Sequence, residues 1–169
     1  GASTNTYGRW TRALRDAGLK VYLDADGAAL SAGLEQKPYF TKPNNHELSA
    51  MLGRELVDVD AIATAASEIV ADGIDTVCVS MGGNGAVYAT DDEVWYAGPV
   101  KVKVGSTVGA GDSVVAAFAF ADAQGFSTED ALRLAMATGA ANVMESGTQA
   151  AERSVVDSLI KKVQLTRLR

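Results

Sequence analysis

Ser106-Thr107-Val108-Gly109-Ala110-Gly111-Asp112-Ser113-Val114-Val115 places two close glycines and an acid directly before a purely apolar run, Val114 to Ala121. Glycines at 109 and 111 carry no side chain that would keep a ligand off the backbone, and the run behind them predicts a helix. Amides at a helix start lack intrahelical partners and sit at the positive end of the helix dipole, so together they can hold an anion. Asp112 falls beside that anion site. A carboxylate there can take the proton of an attacking hydroxyl while the amides stabilise charge developing on the transferred group, which is the chemistry of phosphoryl transfer. The plainer reading is a turned corner with Asp112 stabilising a helix N-terminus, and on these residues alone both stay open. A dinucleotide fingerprint is excluded because its third glycine position holds Val114, and no Gly-Lys-Ser/Thr occurs anywhere for a Walker loop.

Upstream of this stretch, helix and strand signals alternate. Tyr7, Trp10, Leu14 and Ala17 recur at helical spacing behind Asn5 or Thr6 as cap, with Gly18 as the stop, and Leu19 to Leu23 reads as a buried strand. Asp24-Ala25-Asp26-Gly27 is a strand-end turn in which Asp26 caps a short helix through Leu30 and Leu34; turn and cap chemistry is favoured over a ligand role for both acids. Tyr39 to Thr41 is a short strand, Pro43 breaks it, and Asn44-x-x-Glu47 opens a helix ending near Gly53 as a capping box. Asp58 to Ala71, with Ile62, Ala65, Ala66, Ile69 and Val70 at helical spacing, is an amphipathic helix closed by Gly73, and Ile74 to Met81 is a near-continuous apolar strand. Such alternation predicts an α/β fold of three αβα layers, with a largely parallel sheet covered on both faces. Asn84-Gly85 marks a hairpin, and Ala86 to Ala89, Val94 to Ala97 and Val100 to Val104 are read as an antiparallel edge. Downstream, the helix behind Gly109 stops near Gly125. Ser127 caps a second helix through Leu132 and Ala141, followed by Gly147-Thr148; Val155 to Val163 is a last helix and Gln164 to Arg169 a weak strand or tail.

A chain of 169 residues with 47% apolar and 21% charged residues suits one globular domain over 1–169. A net charge of -6 argues against a general nucleic-acid or anionic-membrane surface, so any phosphate site must be locally basic. Cys78, the one cysteine, falls in an apolar strand pattern and reads as an inert core thiol; with His46 the one histidine, a multi-histidine metal site is excluded. No apolar run is long enough to span a bilayer and no signal peptide is visible, so the cytoplasm is the expected compartment.

Val108-Gly109-Ala110-Gly111-Asp112-Ser113-Val114-Val115-Ala116 resembles the C-terminal signature of the phosphofructokinase B family of ribokinase-like sugar kinases. The resemblance implies Asp112 as catalytic base, the amides of Gly109, Ala110 and Gly111 as the anion hole, and Thr107 as a nucleotide contact. Ser106 stands where that family usually has Asp or Asn. Lys42-Pro43-Asn44-x-x-Glu47-Leu48 resembles a second motif of the family. It implies that Lys42 contacts the transferring phosphate while Asn44 and Glu47 organise Mg²⁺ through water; without the resemblance Lys42 reads as a solvated lysine. Ser80-x-Gly82-x-x-Gly85-Ala86 resembles a segment whose backbone approaches ATP phosphates, which implies Ser80, Gly82 and Gly85 as nucleotide contacts. By similarity, the face around Thr138, Gly139 and Asn142, with the loop near Gly147, lines the adenine pocket, although its small residues equally suit close helix packing.

The strings Leu23-Asp24-x-x-Gly27, Lys-Pro-Asn and Gly-Asp-Ser-Val-Val look like the phosphosugar branch of that family, which holds 1-phosphofructokinase and tagatose-6-phosphate kinase. The implied activity is ATP-dependent phosphoryl transfer to a hydroxyl of a phosphorylated sugar, with ATP, Mg²⁺ and the sugar phosphate as the small-molecule partners. A ribokinase- or nucleoside-type kinase is the nearest alternative, and a nucleotide-binding module without catalysis is the other. Family members carry an N-terminal portion with sugar-binding residues and a lid ahead of the region matching Gly1, so the resemblance implies the C-terminal, nucleotide-binding part of a ribokinase-like fold. Strands missing from the sheet would leave an unpaired edge and exposed apolar surface, and with them a tendency to homo-oligomerise.

Overall fold

Prolines and caps decide where the elements fall. Pro38 and Pro43 cannot donate to a ladder, so the strand between them shrinks to β2, Phe40–Thr41, pairing in parallel with β1, Tyr22–Leu23, on one side and β3, Thr76–Ser80, on the other. Register partners are Tyr22 with Phe40 and Leu23 with Thr41, then Phe40 with Thr76 and Thr41 with Val77. The computed structural model describes every residue except Gly1, Ala2, Thr4 and Thr148; Thr148, expected in the loop after the second C-terminal helix, lies outside the described residues. Among the described residues, helices α1 (Thr6–Asp16), α2 (Gly27–Leu34), α3 (Asn45–Leu52), α4 (Val59–Ala71), α5 (Ala110–Ala123), α6 (Thr128–Asn142) and α7 (Arg153–Ile160) accompany a mixed sheet in the order β1-β2-β3-β4-β5-β6. Its remaining strands are β4 (Ala86–Ala89), β5 (Val94–Ala97) and β6 (Leu165–Arg167). The chain divides into two compact units, one of Gly1–Met81, Val87–Trp95 and Arg167–Arg169, the other of Gly82–Ala86 and Tyr96–Thr166.

In the first unit, α4 buries all five of its periodic apolar residues and packs on β3, and its cap Asp58 accepts the Ala61 amide at 2.8 Å. Four consecutive residues of β3, Thr76 to Val79, are buried, as a parallel strand covered on both faces requires. Helix α1 forms as its periodicity predicts but turns the other way. Tyr7, Trp10 and Leu14 are exposed, Trp10 by 60%, while Thr6, Gly8 and Thr11 face inward. Close approach to α2 explains the inversion: a Cβ on Gly8 would lie 2.7 Å from the Ala32 carbonyl oxygen, so only the small side of α1 fits. Leu19, expected in a buried strand, is likewise exposed, and β1 ends the sheet with a single neighbour. Asp26 occupies the cap position of α2 without making a side-chain cap hydrogen bond, and Asn5 does the same at α1.

Strands β4 and β5 are joined through a tight turn in which the Thr90 amide donates to the Glu93 carbonyl at 2.9 Å. The third strand of the antiparallel edge is not 100–104, as expected, but β6. In the second unit the Gly98 amide donates to the Gln164 carbonyl at 2.8 Å, and in the first unit the Val94 amide donates to the Arg169 carbonyl at 3.0 Å while the Val94 carbonyl accepts the amides of Leu168 at 2.7 Å and Arg169 at 3.3 Å, in the same antiparallel sense. With that edge taken, Val100 and Val102 pack as side chains against the core formed by Ala137, Ala141, Val156, Leu159 and Val163. Helix α6 packs on both α5 and α7 in this unit, and Ser127 caps it by accepting the Asp130 amide at 3.2 Å.

Candidate active site

Parallel strands deliver their following residues to one end of a sheet, and ligands of such sheets gather outside the carboxyl ends. In the first unit that rule collects Asp24 after β1, Lys42 and Asn44 after β2, and Ser80 at the end of β3. The Lys42 ammonium lies 3.2 Å from an Asp24 carboxylate oxygen, with the lysine side chain only 7% exposed and the aspartate 29%. Lys42 is therefore not the solvated residue that its type suggests. Asn44 and Ser80 form a parallel bridge, and the Ser80 amide donates to the Pro43 carbonyl at 3.0 Å, so the residues after β2 stay docked on β3. Asn44 and Glu47 complete the capping box: Asn44 Oδ1 accepts the amides of His46 at 2.9 Å and Glu47 at 2.8 Å, and Glu47 Oε2 accepts the Asn44 amide at 2.8 Å.

In the second unit Gly109 is the N-cap of α5 with φ at 84°, a left-handed conformation that a side chain would strain. Asp112 sits exposed in the first turn behind it. The Ala110 amide reaches the Thr107 carbonyl at 3.4 Å and the Ser113 amide reaches the Gly109 carbonyl at 2.9 Å; between them, Gly111 and Asp112 are the first-turn amides without an intrahelical acceptor. Ser106 Oγ accepts the Val108 amide at 3.2 Å, which uses that side chain to shape the turn. Gly139 of α6 packs where a Cβ would meet Val114 Cγ2 at 2.7 Å, so α5 and α6 approach closely there. Asn142 is 3% exposed and its Nδ2 donates to the Gln149 carbonyl at 3.0 Å, while its buried Oδ1 has no partner and lies 3.6 Å from where a Gly109 Cβ would be. Thr138 Oγ1 donates back to the Leu134 carbonyl at 2.7 Å. Gly82 lies in an exposed 3₁₀ turn, Gly82–Asn84, pinned by the Tyr96 hydroxyl donating to the Asn84 carbonyl at 3.0 Å, and Gly85 follows it, buried.

A family model described as pfkB family carbohydrate kinase matches residues 1–154. This chain belongs to that family. Among curated pfkB relatives, the 1-phosphofructokinase of Haemophilus influenzae is 39% identical over 167 residues, covering 98% of this chain and 53% of the relative. The 1-phosphofructokinase of Bacillus subtilis is 36% identical over 166 residues, covering 97% and 54%. Among solved structures, phosphofructokinase-2 from Escherichia coli in complex with potassium superposes with a TM-score of 0.89 at 34% identity, covering 96% of this chain and 53% of that one. The chain thus spans about half the length of the pfkB relatives it matches.

Two features of the first unit were not visible in the pfkB motifs. One is Asp24 as the partner of Lys42. The other is Cys78, wholly buried on β3, whose thiol burial pushes from 9.0 up to about 12, against the pull of the Lys42 ammonium and with the Asp24 carboxylate adding to the rise. A thiol held neutral so firmly cannot compete with Asp24 for the ammonium. Among the described residues no helix is long and apolar enough to cross a membrane.

Proposed function

We propose that this chain is the nucleotide-binding, catalytic part of a sugar phosphate kinase of the 1-phosphofructokinase or tagatose-6-phosphate kinase kind. One observation carries the proposal: Asp112 stands in the first turn of α5, directly behind a glycine cap whose open backbone suits an anion. Asp112 takes the proton from the sugar hydroxyl, and the amides at Gly109, Ala110 and Gly111 stabilise the charge gathering on the transferred group. Lys42 neutralises phosphate charge, and the segments around Ser80, Gly82, Gly85 and Thr107 hold ATP. Gly139 and Asn142 belong to the adenine side, where the unpartnered Asn142 oxygen suits an amino group.

The residues present fit hydrated magnesium rather than a protein cage. Among the described residues no three His, Cys, Asp or Glu side chains gather to hold a metal, and Glu47 commits one carboxylate oxygen to the Asn44 amide. Glu47 would hold the ion through water, and magnesium, when bound, neutralises charge on the nucleotide phosphates.

Titration calorimetry with MgATP and a coupled ADP-release assay, run with fructose 1-phosphate, fructose 6-phosphate and tagatose 6-phosphate, tests the proposal. Asp112→Asn should lower turnover about 10²- to 10⁴-fold while leaving ATP affinity nearly unchanged. Turnover untouched by that change would remove the assigned base. ATP binding without turnover on any of the three sugars would instead select a nucleotide-binding module.

A further inference from the structure

We infer that Asp24 is a positioning residue that holds the Lys42 ammonium at the carboxyl ends of β1 and β2; the inference rests on the nucleotide-binding reading of this site. Register makes the pair. With Leu23 opposite Thr41 in a parallel ladder, and the Lys42 amide donating to the Leu23 carbonyl at 3.3 Å, the next step along both strands sets Asp24 beside Lys42 on one face. A lysine 7% exposed has lost most of its water, and the carboxylate at 3.2 Å is what offsets that loss. On the other flank, Thr41 pairs with Val77, so the neighbour of Lys42 on β3 is Cys78, which is neutral and offers no charge.

The Asp24 carboxylate is not the cap of α2. Asp26 holds that position, and the Asp24 carboxylate instead faces Lys42. A lysine ammonium has three donors, and an acid at its flank fixes where the remainder can aim. Asp24 thereby selects the lysine rotamer that meets a phosphate and keeps the side chain from folding into solvent.

The experiment compares the chain with Asp24→Asn, Lys42→Met and the double variant by two readouts: MgATP affinity from calorimetry, and the rate at which acetic anhydride acylates Lys42, followed by peptide mass spectrometry. Asp24→Asn is expected to weaken MgATP binding about tenfold in the Lys42 background and not at all in the Lys42→Met background. It is also expected to raise Lys42 acylation several-fold, because the amine loses the partner that shields it. An equal loss of affinity in both backgrounds, or an unchanged acylation rate, overturns the inference and makes Asp24 a turn residue. Absence of MgATP binding by the unaltered chain would sink the nucleotide reading, leaving acylation to decide the pair. Should Asp24→Asn fail to fold, folding of the double variant supports an uncompensated buried ammonium as the cause, and failure of both counts against it.

Discussion

The loop between β3 and β4 separates backbone strain from steric exclusion and from ligand contact within four residues, which makes it a sharp place to test the structure. Gly83 has open space and an ordinary backbone, Gly82 has open space with φ at 54°, and Gly85 has φ at 92° with a Cβ position 2.1 Å from the Ala97 carbonyl oxygen. Gly83→Ala should therefore change stability by no more than about 0.5 kcal/mol. Gly82→Ala adds the left-handed strain alone, about 1–2 kcal/mol. Gly85→Ala adds the same strain plus a carbonyl that must move, so its cost should reach about 2–5 kcal/mol, or a fall in Tm of roughly 5–20 °C. Urea and thermal unfolding of the three variants give the ladder directly. A Gly85→Ala loss no larger than that of Gly82→Ala would refute the packing of residue 85 against β5. MgATP affinity then asks a separate question: exposed Gly82, where a methyl meets no protein atom, should lose affinity beyond its modest loss of stability if the loop carries phosphate.

Glu47→Gln preserves the capping box, since glutamine serves at that position, and so should cost less than about 0.5 kcal/mol in stability while raising the magnesium concentration needed for tight ATP binding; a large stability loss with unchanged magnesium dependence would reverse its assignment. Because the Cys78 thiol rises from 9.0 to about 12 on folding, the unfolded chain ionises first as pH rises, and stability that is fully present below pH 9 is lost between 9 and 12 at about 1.4 kcal/mol per pH unit. Urea midpoints across that window should fall less steeply in Cys78→Ala, and parallel slopes would contradict the burial. On α1, Trp10→Lys should shift stability by less than about 0.5 kcal/mol while Thr11→Lys, which buries a charge, costs more than about 2 kcal/mol; the opposite order would mean the helix is turned the other way.

Much of the fold was legible because the signals that set it are local. Ser127 and the Asn44–Glu47 pair cap the helices their positions predict, and the five apolar residues of α4 are the five that it buries. What failed depended on partners far along the chain. Periodicity shows that α1 has two faces but not which one meets α2, and the answer lay in Gly8, whose missing Cβ lets the Ala32 carbonyl approach. Similarly, Val100 to Val104 has the composition of a strand, yet the β5 edge went to the C-terminal segment, whose weaker pattern is joined to α7. Composition sets a propensity for pairing, and competition for one edge decides which segment pairs.

The site divides along the same line. Gly109 to Asp112 and Asn44 to Glu47 are contiguous, so one helix start holds each set together and sequence spacing is enough to see it. The Asp24–Lys42 contact joins segments separated by a helix, and charge alone could not pair them among so many other acids and bases. The prolines could have. Between Pro38 and Pro43 the donors available to β1 are the amides of Phe40 and Lys42, which bond Val21 and Leu23. Once apolar Tyr22-Leu23 is matched to Phe40-Thr41, a parallel ladder has only one place to put the next residue of each strand, and an acid then faces the lysine. Strand register is thus a more informative guide to buried charge pairs than charge pattern, since it follows from which backbone groups can bond before any side chain is considered.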